Sequence, residues 1–339
     1  ALRIGADDRM LIAVPMFHAT AWGYPYSGFW FGADMILLDR FLKPATIIRA
    51  VEQERITFAN GVPTIWNDVL RLVRTEPGHD LSSLRRIVVG GAFATRTLLE
   101  GFDTDVGAPI LQGYGMTETS PLVTVARPPR DATPDAAMSA RLSQGRVLAG
   151  VEARIVDPDT LAPLRADGTS IGELELRGPW IAGSYLGDEG PDKFHDGWLR
   201  TGDLGTLDPS GYVRLTDRAK DVIKSGGEWI SSVELEAVLL AHPGVADVAV
   251  IGVPDERWDE RPCVIVVPAA NAQRDPEALR AWLLGRVPRW WIPEHWAFAE
   301  ALPLTSVGKI DKKLLRSRHE AGDLDVVSVT TPLPPDPEP

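Results

Sequence analysis

A single cysteine, Cys263, stands in a chain of 339 residues. No internal disulfide can form, and the apolar run Val264-Ile265-Val266-Val267 behind it reads as a buried strand. A reducing compartment follows, read as cytoplasmic. Basic charge is also short: 35 Lys and Arg face 47 Asp and Glu, a net charge of −12. Nucleic-acid binders normally carry a basic face, so no nucleic-acid partner is expected, although a local basic groove remains open to an anionic cofactor. Charge of either sign is missing from residues 11–33, a length that raises the question of a membrane span. Pro15, Gly23, Pro25 and Gly28 interrupt it, so the expectation is a buried strand followed by a helix, with no transmembrane span and at most peripheral membrane contact. A signal-peptide pattern is lacking too, because Arg3, Asp7, Asp8 and Arg9 precede the apolar part.

What is present is the composition of a soluble globular chain, 44% hydrophobic and 24% charged. Its length allows two or more domains. Short apolar runs at residues 11–17, 35–38, 57–60, 86–89 and 109–111 alternate with helical patterns at 45–54, 64–73 and 96–102. Strands alternating with helices imply a mostly parallel sheet. From about residue 147 to 215 the texture changes to short strands at 153–156, 172–177 and 212–215, separated by turn signals such as Asp157-Pro158 and Asp167-Gly168. This predicts a small antiparallel or barrel-like unit. A compact α+β pattern follows, with helices at 232–241 and 276–286 and strands at 245–253 and 263–268. Residues 332–339 are rich in proline and acid and are expected to be disordered.

The densest chemistry lies in Gln112-Gly113-Tyr114-Gly115-Met116-Thr117-Glu118-Thr119. Glycines let backbone pass close to a ligand. Tyr114 can stack on a planar base, Thr117 can donate to a phosphate, and Glu118 can hold a hard cation through oxygen. These are the parts of an ATP site, and ligands of parallel sheets sit beyond the carboxyl ends of strands. Alone, the run also fits an ordinary turn.

Four later segments join it. Trp198-Leu199-Arg200-Thr201-Gly202-Asp203 places a carboxylate after a tight turn, suited to a ribose diol. Asp217-Arg218-Ala219-Lys220-Asp221 is charged and hinge-like. Lys224-Ser225-Gly226-Gly227-Glu228 sets a lysine beside a flexible glycine pair, and Thr305-Ser306-Val307-Gly308-Lys309-Ile310 presents a lysine on a loop. Each by itself fits a turn, a surface pair or a solvated cation. Their order and spacing together are not expected by chance.

With Val14-Pro15-Met16-Phe17-His18-Ala19-Thr20-Ala21-Trp22 and Lys224-Ser225-Gly226-Gly227-Glu228-Trp229-Ile230-Ser231-Ser232, the series resembles the adenylate-forming superfamily of acyl-CoA synthetases, luciferases and peptide-synthetase adenylation domains. Within it, the chain is most similar to the medium- and long-chain fatty acyl-CoA synthetases, over residues 8–318. The resemblance implies an α/β, multi-domain adenylate-forming fold. Residues 1–140 would be a partial αβ layer of a truncated large domain, 141–216 a β-barrel-like subdomain, 217–221 a hinge, 222–320 a C-terminal α+β lid domain, and 321–339 a flexible tail. It implies a ligase using ATP, Mg²⁺ and coenzyme A, in which a fatty acid carboxylate attacks the α-phosphate and the CoA thiol then displaces AMP.

Carried over residue by residue, Gly113, Tyr114, Gly115 and Met116 would line the adenine, with Tyr114 stacked on it. Thr117 would touch a phosphate and Glu118 would ligate the metal. Asp203 and Arg218 would hold the ribose. Lys309 would bridge the acyl carboxylate and the phosphate during adenylation. Lys220 would be the hinge, and Lys224 with Gly226 and Gly227 the face presented for thioester formation. His18, Trp22 and Gly91, beside Gly90, would border the acyl tunnel with Trp22 as its gate, although a tryptophan on an apolar segment also fits core packing. Phe93 departs from the small residue expected nearby.

The resemblance also makes an absence visible. The family's phosphate-binding loop, rich in Ser, Thr and Gly and ending in Pro-Lys-Gly, occurs nowhere in the sequence; in relatives it lies upstream of the Phe-His segment. The expectation is a chain lacking an N-terminal portion, whether truncated, cleaved or supplied by another chain. Such a chain would be crippled in adenylation alone and left with uncovered parallel strands. Two alternatives stay open, a fatty acyl-AMP ligase feeding a carrier protein and a catalytically silent binding or assembly fragment. A homodimer is compatible with all three.

Overall fold

The computed structural model describes residues 2–38, 42–218, 221–305 and 309–330. Two compact units divide the chain, Ala1–Leu215 and Thr216–Pro339.

In the larger unit five strands run parallel in the order Asp34–Ile36, Arg9–Leu11, Phe58–Gly61, Arg86–Val89, Ile110–Gly115. The helices Pro44–Glu54 and Pro63–Thr75 open on proline, whose fixed φ suits a first helical turn and whose missing N–H has no partner to lose there. Arg96–Gly101 is capped instead by Thr95, whose hydroxyl accepts from Leu98 N–H. Alternation along the strands sends side chains to two cores. Leu11, Ala59, Ile87, Val89 and Ile110 pack with the helices around Trp66. Met10, Ile12, Phe58 and Val88 pack with Ala21 and Tyr24. Ile110–Gly115 then pairs antiparallel with Leu122–Val125. The hydrogen-bonded order continues without a break through Gly145–Val147, Tyr212–Arg218, Trp198–Leu207, Gly172–Arg177 and Glu152–Val156. The expected αβ layer and antiparallel unit are therefore two stretches of one sheet.

Several expectations are corrected. The strand predicted at residues 11–17 is Arg9–Leu11, and the chain turns at Pro15, which has no N–H for a ladder. After it, Ala19, Thr20, Ala21 and Trp22 all take positive φ, 43°, 48°, 49° and 57°, followed by Gly23 at 73°. This left-handed turn costs about 1–2 kcal/mol per non-glycine residue. The central parallel strands Phe58–Gly61 and Arg86–Val89 are covered rather than exposed. Exposed apolar surface gathers instead on the helix Tyr24–Phe31, where Phe29 is 85% and Trp30 83% exposed, and on the edge strand Asp34–Ile36. The helix Pro134–Arg141 was not anticipated, because Ala137, Met138 and Leu142 make too short an apolar stripe.

Among the described residues the smaller unit contains a six-stranded sheet built on the long hairpin Val245–Asp255 and Asp259–Pro268, with His295–Phe298 parallel to the latter. Val248, Val250, Val264, Val266 and Trp296 face the helices Ser232–Leu240 and Pro276–Leu283. Ala249, Ile251, Cys263, Ile265 and Ala297 face Leu315 of Lys312–Glu320. Burial pushes the Cys263 thiol up to about 12. Residues 331–339 lie outside the described residues.

Candidate functional site

Ile110–Gly115 leaves the parallel region and carries the loop that follows. Gln112, 2% exposed, sets its direction. Its amide oxygen accepts from Ala94 N–H at 2.7 Å and its amide nitrogen donates to Ser143 O at 3.1 Å. Next, the chain doubles back so tightly that a Cβ on Gly115 would stand 1.7 Å from Pro121 O, and one on Gly113 would stand 3.0 Å from Leu122 Cδ1. The glycines are required by the chain's own return, a reason different from the ligand approach expected of them.

The turn Thr117–Thr119 completes the loop. Met116 N–H donates to Thr119 Oγ1 at 2.9 Å, burying Thr119, while Thr117 is exposed and Glu118 half-buried. Tyr114 is brought to Asp203: its phenol donates to Asp203 Oδ2 at 2.6 Å, and Asp203 is 6% exposed. Asp203 does not follow a tight turn as expected. It sits within the strand Trp198–Leu207, after a bulge at which Gly202 takes φ 71°. Glu173 holds that bulge by accepting from Gly202 N–H at 3.0 Å and from Arg200.

Tyr185 was missed in the sequence. Its hydroxyl donates to Glu118 Oε1 at 2.6 Å, and Ala182 N–H donates to the Glu118 carbonyl at 2.8 Å. The bond to the Glu118 carboxylate, with burial, raises the Tyr185 phenol to about 12. Nothing in the loop Gly183-Ser184-Tyr185 announces a partner so distant in sequence. Trp22 also belongs to this neighbourhood, since a Cβ on Gly90 would meet Trp22 Cη2 at 3.4 Å and Gly113 O at 2.9 Å. His18 accepts from Trp22 N–H through its carbonyl at 3.4 Å, and Gly91 is exposed with φ 78°.

The remaining expected residues stand in the smaller unit. Lys224 is exposed on Ile223–Ser225, and its backbone N–H donates to Glu260 Oε2 at 2.9 Å. Gly226 and Gly227, at φ 62° and 86°, form the two-residue turn to Glu228–Ile230, which demands positive φ at both positions. A Cβ on Gly226 would lie 2.8 Å from the Trp258 ring. Arg218 ends the strand Tyr212–Arg218, exposed. Thr305 and Lys309 hold each other, with Thr305 N–H donating to Lys309 O at 2.7 Å and Lys309 N–H to Thr305 Oγ1 at 3.2 Å. Lys220 lies outside the described residues, as do Ser306, Val307 and Gly308.

Among the described residues no group of three or more His, Cys, Asp or Glu could hold a metal ion by itself, and no helix is long and apolar enough to cross a membrane. Glu118 nevertheless fits Mg²⁺, which is commonly bound through one or two carboxylates and substrate phosphates.

Residues 1–186 match the AMP-binding enzyme family and residues 234–309 the AMP-binding enzyme C-terminal domain. The chain is 42% identical to a 3-methylmercaptopropionyl-CoA ligase of Ruegeria pomeroyi over 92% of its length and 58% of that protein's. It is 40% identical to a medium-chain-fatty-acid–CoA ligase of Ectopseudomonas oleovorans, covering 95% of this chain and 59% of the relative. Among solved structures, ATP-bound MatB from Rhodopseudomonas palustris superposes with a TM-score of 0.81 at 28% identity, over 94% of this chain and 61% of that one. The anthranilate CoA ligase AuaEII in complex with anthranoyl-AMP gives 0.83 at 26% identity, over 95% and 61%. The chain thus spans about three-fifths of the length of these relatives. It belongs to the AMP-binding enzyme family.

Proposed function

We propose that this chain serves the ATP-dependent joining of a medium- or long-chain fatty acid to coenzyme A through an acyl-adenylate. The observation that carries the reading is the 2.6 Å bond between Tyr114 and Asp203, which fixes an aromatic ring and a carboxylate beside a loop bearing Thr117 and Glu118. A nucleotide needs that combination: a ring to stack on its base, an acceptor for its ribose, and a hydroxyl and carboxylate at its phosphates.

In the first half-reaction the acid's carboxylate attacks the α-phosphate and pyrophosphate leaves. In the second the CoA thiol attacks the acyl carbon and AMP leaves. Both halves are dominated by positioning and charge, and the residues provide these. Tyr114 stacks on adenine, Asp203 and Arg218 accept and donate at the ribose, and Thr117 donates to a phosphate. Glu118 would hold Mg²⁺, and the charge of the ion would offset repulsion between the triphosphate and the attacking carboxylate. Lys309 holds the acyl carboxylate against the phosphate, and Lys224 with Gly226 and Gly227 admits the pantetheine arm in the second half. Lys220 is the hinge between the two arrangements. Trp22 against Gly90, with Phe93 following, bounds the acyl chain. Our reading puts the reaction in the cytoplasm; that Cys263 is free and buried supports it.

The test separates the halves. In the protein carrying this chain, Lys309→Ala abolishes fatty-acid-dependent ATP–pyrophosphate exchange yet leaves thioester formation from supplied acyl-adenylate within about threefold, and Lys224→Ala does the reverse. Equal loss of both halves in either variant refutes the assignment. Adenylate that forms but never becomes thioester replaces the synthetase reading with an acyl-AMP ligase.

A further inference from the structure

The smaller unit buries a polar relay that the proposed reaction does not use. Asp217, 5% exposed, is the second-to-last residue of the strand Tyr212–Arg218, immediately before Arg218. Its Oδ2 accepts from the backbone N–H of Ser232 at 2.7 Å and from the Ser232 hydroxyl at 2.6 Å. Lys312 Nζ donates to the same hydroxyl at 2.6 Å and lies 2.8 Å from Glu236 Oε1. Glu236 also accepts from Val250 N–H at 2.7 Å. Beside it, the Ser231 hydroxyl donates to Thr216 O at 2.5 Å. Asp221 pairs with Arg316 at 2.5 Å.

The connectivity gives these bonds a direction. Lys312 is the first residue of the helix Lys312–Glu320, three positions after Lys309. Asp311 caps that helix through Leu314 N–H at 3.0 Å, and Leu304 and Ile310 are bridged across the loop. One end of the relay is thus adjacent in sequence to Arg218 and the other to the Lys309 loop. Buried carboxylates are costly: burial raises Asp217 and Glu236 against the lowering pull of Lys312. Apolar packing would hold the strand and helices together as firmly. It would not fix the distance between two residues destined for one nucleotide, whereas short hydrogen bonds of charged groups to the Ser232 hydroxyl between them do.

We propose that Asp217 is a positioning residue that keeps Arg218 and the Lys309 loop in one register, acting through Ser232 and Lys312. Its part in catalysis rests on the role given to Lys309 above; the mechanical coupling does not.

Amide hydrogen exchange tests the coupling without activity. Asp217→Ala raises exchange at Thr305, Leu314 and Leu315 at least about tenfold, and Asp217→Asn, which keeps an acceptor for Ser232, restores it to within about threefold. An increase confined to Ser232 and Glu234 overturns the proposal. If Asp217→Ala does not fold, Lys312→Met reads the relay from its other end: faster exchange at Ser232 and Arg218 supports the coupling, and unchanged exchange there overturns it. Catalytically, Asp217→Ala depresses pyrophosphate exchange about tenfold or more while thioester formation from acyl-adenylate is retained, with rescue by Asn. Coupled exchange together with equal loss of both half-reactions keeps the coupling and removes the role of Lys309.

Discussion

The tightest backbone approach in the site is at Gly115, and Gly115→Ala tests whether the loop needs it. The added Cβ would sit 1.7 Å from Pro121 O and 2.7 Å from its carbonyl carbon, with Leu122 Cα at 3.1 Å. All three are backbone atoms, so no side chain can rotate away. Restoring an ordinary contact of about 3.5 Å means parting Ile110–Gly115 from Leu122–Val125 where the turn joins them. The first loss is the Met116 N–H to Pro121 O bond of 3.1 Å, about 0.5–1.5 kcal/mol. Overpacking adds about 1–3 kcal/mol. The sum, about 1.5–4.5 kcal/mol, lowers the melting temperature of a unit this size by about 3–18 °C, read by scanning calorimetry. Gly183→Ala is the control, since a Cβ there meets nothing within 4 Å; it changes stability by less than about 0.5 kcal/mol. Because the parted turn carries Glu118, the Tyr185 phenol should also titrate nearer its ordinary value. A Gly115→Ala protein that melts with the wild type and titrates like it would refute the reasoning, by showing slack where the structure has contact.

Tyr185→Phe removes the donor to Glu118 Oε1. The raised phenol contributes stability that is complete below pH ~10 and lost as pH rises toward about 12, so the variant should lack the alkaline decline of the wild type in melts across that range. Cys263, fully buried with its thiol raised to about 12, should resist alkylation at pH ~8 and react only on unfolding, followed by intact mass. Burial acts to raise the Asp8 carboxyl, but Thr57, Gly5 N–H and Arg85 outweigh it and hold the group below its ordinary value. Its stabilisation is present above the unfolded pKa and lost as pH falls through the folded one. Asp8→Asn should therefore lower stability at neutral pH and flatten the loss below pH ~4 in urea titrations.

Much of the fold was legible because its signals are local. Strand–helix alternation located Phe58–Gly61 and Arg86–Val89 to within one residue, found the start of Ile110–Gly115 but ended it four residues early, and extended the helix Ser232–Leu240 by one residue. The loop 112–119 was legible as chemistry because its residue types are adjacent. Its partners were less so. Asp203 was picked out by its Thr-Gly-Asp context, yet its place inside a strand depends on Glu173 bonding a bulge from a neighbouring strand. Tyr185 and the Asp217–Ser232–Lys312 relay carry no local signature at all. Those contacts exist only once distant segments have met. The glycines were found for a reason that the structure replaces: Gly115 and Gly226 make room for the protein's own atoms.

The run of positive φ from Ala19 to Trp22 sets conformation against chirality. Every L-residue there favours the opposite hand, so the surroundings must hold the segment, and the same dihedrals are the relaxed state of a mirror-image residue. A D-alanine introduced at Ala21 by semisynthesis should therefore stabilise the protein, where lengthening the L-side chain could only add strain. The position of the Trp22 ring over Gly90 is then a property of handedness: it is kept by a backbone that would unwind the other way if released.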